Sequence, residues 1–126
     1  MLRQQFDRKS AWILLTFLLL ISLPYALAAL AAGPELRFGG FLINYQDGYT
    51  YLAKMRQGLE GNWLYRPDYS AHVSAGALIN LPYLLIGHLA RLGGPLILWL
   101  HAFRLLNATL LFIALRHFIH ACIEQE

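Results

Sequence analysis

AWILLTFLLLISLPYALAALAA, residues 11 to 32, decides how the rest of the chain is read. It carries no charged side chain. As a helix its 22 residues would rise about 33 Å, enough to cross a hydrocarbon core of ~30 Å. Pro24 would kink that helix. A polar segment precedes it, with Arg3, Arg8 and Lys9 set against Asp7. The rival reading is a cleaved secretory signal, with residues 12–23 as its apolar region and Ala26-Leu27-Ala28 or Ala29-Leu30-Ala31 as its cleavage site. The apolar stretch is long for a signal, and further apolar segments follow it.

The rest of the chain agrees with a lipid setting. The whole chain is 58% hydrophobic and only 13% charged, where soluble domains carry about 25% charged residues. The formal charge of +3 is scattered, with no run of five like charges, which makes a nucleic-acid partner a poor explanation. Cys122 is the only cysteine, so the chain has no internal disulfide and no thiolate pair for a metal. A second apolar segment covers residues 73–92, interrupted by Pro82, Gly87 and His88. Gly93-Gly94-Pro95 marks a tight turn, with Pro95 opening a third segment over residues 95–119. A polar tail, residues 120–126, closes the chain. The expected fold is an all-α membrane protein with three transmembrane helices.

Basic residues set the expected topology. Arg3, Arg8, Lys9 and Arg91 fall in the short N-terminus and the short turn. Arg37, Lys54, Arg56 and Arg66 are diluted over a loop of residues 33–72. The denser side should be cytoplasmic, which puts the N-terminus inside and the loop and tail outside. Arg116 then falls on the outer side, against the rule.

The loop holds NYQDGYTYLAKMRQGLEGNW, residues 44 to 63. Gly48, Leu52, Met55 and Leu59 recur at helical spacing, and Gly58 and Gly61 supply stop signals. A helix over 48–59 is too short to be stable alone in water. Laid on the bilayer surface as an interfacial amphipathic helix, or against the spans, it would be covered. Asp47 stands where an N-cap belongs. It can serve as a cap, or as a general base held at the water–lipid boundary between a lipid-borne donor and a water-borne acceptor. Both roles stay open at this level.

With "NYQDGYTYLAKMRQGLEGNWLYRP", "LPYLLIGHLARL" and "LHAFRLLNATLLFIALRHFI", the chain resembles the opening of GT-C glycosyltransferases. These include protein mannosyltransferases and lipid A aminoarabinose transferases; the nearer likeness is to large uncharacterised bacterial multi-span proteins of that type. The likeness covers most of residues 38–119. It implies transfer of a sugar from a polyprenyl-phosphate donor at the outer face of a bacterial inner membrane. It implies that Asp47 acts as general base or positions a divalent metal, the metal itself being unspecified. Relatives carry Glu-Pro-His late in the loop, and here Ser70-Ala71-His72 keeps the His. The family has many more spans, so the likeness implies an N-terminal part, inactive alone, whose partners are the remaining spans or a second subunit. The alternative is a small non-enzymatic membrane protein whose loop helix binds lipid or a partner.

His72, His101 and Arg104 are candidate contacts to a phosphate or lipid head group. His88 and Arg91, then His101 and Arg104, repeat a three-residue spacing that puts each pair on one helix face. Arg104 would lie about 13 Å into its span. A charge there costs ~2.5 kcal/mol or more unless it finds a partner or water. Interhelical hydrogen bonding is the leading alternative for His101 and Arg104, and snorkelling explains Arg91 at a span end. His117 and His120 make no zinc pattern. Asn107-Ala108-Thr109 matches a glycosylation acceptor but lies inside a span.

Overall fold

A computed structural model describes residues 7–67, 69–72 and 74–123. Arg3, Val73 at the head of the expected second span, and the last three residues of the tail lie outside the described residues. Among the described residues four helices follow in order: α1 (Arg8–Ala31), α2 (Tyr45–Leu59), α3 (Leu81–Ala90) and α4 (Leu96–Ile123). The chain divides into two compact units. One comprises residues 1–38 and 104–126, the other residues 39–103. Helix α4 contributes to both, changing unit at Arg104.

In the first unit, α1 and the 104–123 part of α4 run antiparallel. Arg104 meets Ile21 and Tyr25, Phe17 and Ile13 lie along Ala108 to Leu115, and Arg116 reaches Asp7. Helix α1 has 24 residues and α4 has 28, about 36 and 42 Å long. Both are long and apolar enough to cross a membrane. No residue of either is buried, and leucines such as Leu20 and Leu30 stand exposed. A helix apolar on all sides and covered on none suits lipid, not the core of a water-soluble domain. Asp7 caps α1, accepting from the Ser10 backbone N–H at 2.9 Å. That cap starts the helix three residues before the expected span.

In the second unit, α2 and α3 pack against each other, with Met55 and Leu84 fully buried and Ile86 and Ala90 nearly so. The stripe read on α2 is covered in part: Met55 is buried and Leu52 half-buried, Gly48 is buried under Phe41, and Leu59 stays exposed. Helix α3 therefore covers part of the face that the sequence reading left to a bilayer surface or to the spans. The helices touch backbone to backbone where Gly58 meets Gly87.

The second transmembrane helix expected over 73–92 is corrected to ten residues, Leu81–Ala90. At about 15 Å it covers half of a ~30 Å core. Asn80, in the left-handed region at φ 56°, forms its N-terminal boundary, and Pro82 sits in its first turn. Upstream the backbone is extended enough for Ala77 to exchange two hydrogen bonds with Tyr65, at 2.9 and 3.0 Å. The Gly93-Gly94-Pro95 turn forms as expected, with both glycines at positive φ and Trp99 Nε1 donating to the Gly93 carbonyl at 2.8 Å.

The start of α1 and the end of α4, which a three-span chain would put on opposite sides, lie together. Arg116 Nη2 lies 3.9 Å from Asp7 Oδ1, so the end of α4 returns to the start of α1. The residue that contradicted the charge rule in a three-span scheme lies beside Arg8 and Lys9.

Candidate functional site

Helix α2 begins three residues earlier than expected, with Asn44 as its N-cap. Asp47 is therefore in the first turn, not at the cap. Asn44 adopts a left-handed conformation at φ 52°, and its side chain caps no backbone N–H. Its amide Nδ2 instead donates to Asp47 Oδ2, while the Asn44 carbonyl accepts from Gly48 at 3.2 Å. Thr50 Oγ1 donates to the Asp47 carbonyl at 2.6 Å. Being in the first turn, the carboxylate still meets the positive end of the helix dipole.

Asp47 is exposed, and its second oxygen makes no hydrogen bond or ion pair among the described residues. Aromatic rings stand beside it. Phe41 packs on Gly48 and meets the Tyr49 ring edge-on at 6.0 Å, and Tyr45 meets Tyr49 at 6.4 Å. The arrangement is an accessible carboxylate on a helix held by a second helix, with an aromatic rim.

His72 lies in the exposed segment after Arg66, where its backbone N–H donates to Ser70 Oγ at 3.2 Å. No hydrogen bond or ion pair joins it to Asp47 among the described residues. His101 is on α4 within the second unit, close to Gly40, whose approach to Ile97 leaves no room for a side chain. Arg104 belongs to the first unit. Its Nη1 donates to the Ile21 carbonyl at 3.1 Å, and its guanidinium carbon lies 4.1 Å from the centre of the Tyr25 ring. This is one turn from Pro24, whose missing N–H leaves the Leu20 carbonyl without its helical donor. Neighbouring helices commonly supply donors at such breaks.

A divalent metal finds little here. Among the described residues no three His, Cys, Asp or Glu side chains gather. Asp47 alone would hold a hard cation only alongside oxygens from elsewhere. No step is therefore assigned to a metal.

Two features of the second unit escaped the sequence reading. Lys54 Nζ lies 5.3, 5.5 and 5.8 Å from the ring centres of Tyr51, Tyr83 and Tyr65. Tyr51 and Tyr83 are stacked at 4.7 Å. Burial and the nearby Tyr51 push the Tyr83 hydroxyl above the usual phenol range. The second feature is Gln57, only 8% exposed. It donates to the Arg66 carbonyl at 2.7 Å and accepts from the Arg66 N–H at 2.9 Å. Trp63, stacked 3.9 Å from His88, and the 3.1 Å contact of His88 Nε2 with the Asn62 carbonyl hold the next residues to α3. The i, i+3 pair Tyr51–Lys54 was visible in sequence, but Tyr65 and Tyr83 join it only through the fold.

No family model, curated protein or solved structure matches the chain.

Proposed function

We propose that the chain is the membrane-embedded N-terminal part of a glycosyltransferase that moves a sugar from a polyprenyl-phosphate donor to a hydroxyl acceptor at the outer membrane face. Two apolar helices anchor it, and the α2–α3 unit, which follows α1 along the chain, carries the base. The observation that supports this reading is the exposed Asp47 carboxylate, with one oxygen held by Asn44 and the other open. In the proposed step that oxygen takes the proton of the acceptor hydroxyl. The acceptor oxygen bonds to the anomeric carbon as the bond to the phosphate oxygen breaks, and the polyprenyl phosphate leaves with the electron pair. A positioned base typically contributes about 10²- to 10⁴-fold. His72 and His101 are the proposed contacts to the donor phosphate.

A second reading rests on the Asn44–Asp47 hydrogen bond itself. It ties the carboxylate into the helix start, which is what a structural residue of a non-enzymatic membrane scaffold would do. Asp47→Asn and Asp47→Ala separate the two in the full-length or partnered protein, assayed for transfer from a polyprenyl-phosphate sugar. A base requires both variants to lose about 10²-fold or more, with the Asn variant folding as the parent does. Transfer retained in Asp47→Asn would refute the base and leave Asp47 a structural residue of the transferase, whereas no transfer by the parent protein would leave the scaffold reading.

A further inference from the structure

We infer that the α1–α4 seam is the docking face for a further transmembrane helix carrying a carboxylate at the level of Arg104. The inference rests on the membrane part of the reading above, not on the transferase part.

The seam has an apolar stretch and a charged end. Ile13 and Phe17 of α1, with Ala108, Leu111, Phe112 and Leu115 of α4, line a hollow of about 200 Å³. Arg104 lies one turn before Ala108 on the same helix. Its two partners, the Ile21 carbonyl and the Tyr25 ring, are both neutral. Its Nε is shielded from solvent and has no acceptor among the described residues. No carboxylate among them pairs with Arg104, so a full positive charge is left without an anion.

Depth decides what kind of anion can reach it. Arg116 pairs with Asp7 at one end of the hairpin. Arg104 is twelve residues from Arg116 along α4, or about 18 Å. With the Asp7–Arg116 pair at one boundary of a ~30 Å core, Arg104 lies about 12 Å inside the other. A lipid phosphate outside that boundary would have to descend by that distance. A carboxylate on a helix is carried to that depth by the backbone. A second copy of this chain cannot supply it from the spans, because neither α1 nor α4 contains Asp or Glu. The partner that fits is a helix with Asp or Glu about eight residues from its outer end, at 1.5 Å per residue. Its apolar side chains at i, i+3 and i+4 from there would occupy the hollow.

The test uses the full chain, fluorescently labelled and reconstituted in phosphatidylcholine vesicles at pH 8. The probes are leucine–alanine transmembrane peptides with Glu, Gln or Leu eight residues from one end. Energy transfer reports association, and extraction with alkaline carbonate first establishes that the chain is inserted. Extraction of the chain would refute the membrane reading, and this inference with it. For an inserted chain, the Glu peptide should associate at least tenfold more tightly than the Leu peptide, with Gln between them. Arg104→Gln should abolish the preference, Arg104→Lys should keep part of it, and Leu111→Trp, which fills the hollow, should weaken association of all three peptides. Equal association of the Glu and Leu peptides would overturn the inference. So would a preference that survives Arg104→Gln. So would one that disappears when a third of the lipid is replaced by phosphatidylglycerol, because the counter-ion would then be a lipid phosphate.

Discussion

Gly58 of α2 and Gly87 of α3 face each other with no side chain between them. A Cβ on Gly87 would overlap the Met55 carbonyl oxygen and stand 2.9 Å from Gly58 Cα, and one on Gly58 would overlap the Leu84 carbonyl. These neighbours are backbone, which cannot rotate aside. Gly87→Ala should therefore force the helices apart and cost about 1–3 kcal/mol, the usual penalty of overpacking. Hydrogen exchange across residues 45–59 and 81–90 should speed up together, while α1 and the far part of α4 stay unchanged. Unaltered exchange in Gly87→Ala would mean that the two helices do not meet closely in solution.

Gln57 satisfies both backbone groups of Arg66 from a nearly buried position. It acts as a strand would, holding the loop after α2 with a donor and an acceptor. Gln57→Leu removes the partner of both Arg66 groups; Arg66 is exposed, so water replaces part of it and the cost is about 0.5–1.5 kcal/mol per hydrogen bond. The Arg66 amide should lose protection in that variant more than the Met55 amide does. Gln57→Glu keeps the acceptor for the Arg66 N–H and should keep part of the protection. Equal protection in the parent and Gln57→Leu would remove this role.

How much was legible in sequence depends on whether a residue's partner is near or far along the chain. Helices α1 and α4 were legible, because an apolar run of spanning length, uncharged over residues 11–32 and broken in α4 only by Arg104 and Arg116, needs no partner to declare itself. The stripe 48-52-55-59 was legible as helical, but a stripe says only that something covers it. Part of the cover is α3, over Met55, while Phe41 covers Gly48 and Leu59 stays exposed; residues 73–92 are apolar enough for lipid, and hydropathy does not distinguish lipid from a neighbouring helix. Pro82, Gly87 and His88 were the signs against a span. Gly87 marks a close approach and His88 a polar contact with the Asn62 carbonyl. Asp47 was placed at the cap because Asp and Asn are both leading caps, and Asn44 takes that position instead. The tyrosine cluster around Lys54 draws on residues up to 32 positions apart in sequence, from Tyr51 to Tyr83, which no local pattern reveals.

The raised Tyr83 hydroxyl gives the α2–α3 unit a dependence on alkaline pH. The folded state holds the phenol neutral by burial and by the nearby Tyr51. Above the ordinary phenol value of 10.0 the unfolded chain loses this proton while the folded chain keeps it. The unfolded state then binds fewer protons, so stability falls as pH rises from there. Tyr83→Phe has no proton to lose and should flatten that fall while weakening the unit at neutral pH, where the Tyr51–Tyr83 contact is lost. Hydrogen-exchange opening free energies of α3, measured for both proteins up to pH 11 and corrected for intrinsic exchange, check this. Parallel profiles would show that Tyr83 does not titrate with folding.

The meeting of Arg116 with Asp7 makes a topological prediction that a three-span chain could not meet. If α1 and α4 both cross a bilayer as an antiparallel pair, the start of α1 and the end of α4 share one side. With three spans they would lie on opposite sides. Cys122, exposed near the end of α4, is a natural reporter. In intact cells an impermeant thiol reagent should leave Cys122 unlabelled. It should also leave Lys9→Cys unlabelled in a Cys122→Ser background, since Arg8, Lys9 and Arg116 form the short basic ends that favour the cytoplasm. Gln46→Cys in the same background should be labelled from outside. After the membrane is permeabilised, all three should react. Labelling of Cys122 but not Lys9→Cys in intact cells would require an odd number of crossings between them, and residues 81–90 would then have to be explained as part of a span. Labelling of both, with Gln46→Cys protected, would keep the hairpin but invert it, and Asp47 would face the cytoplasm, where the proposed transfer at the outer face could not use it.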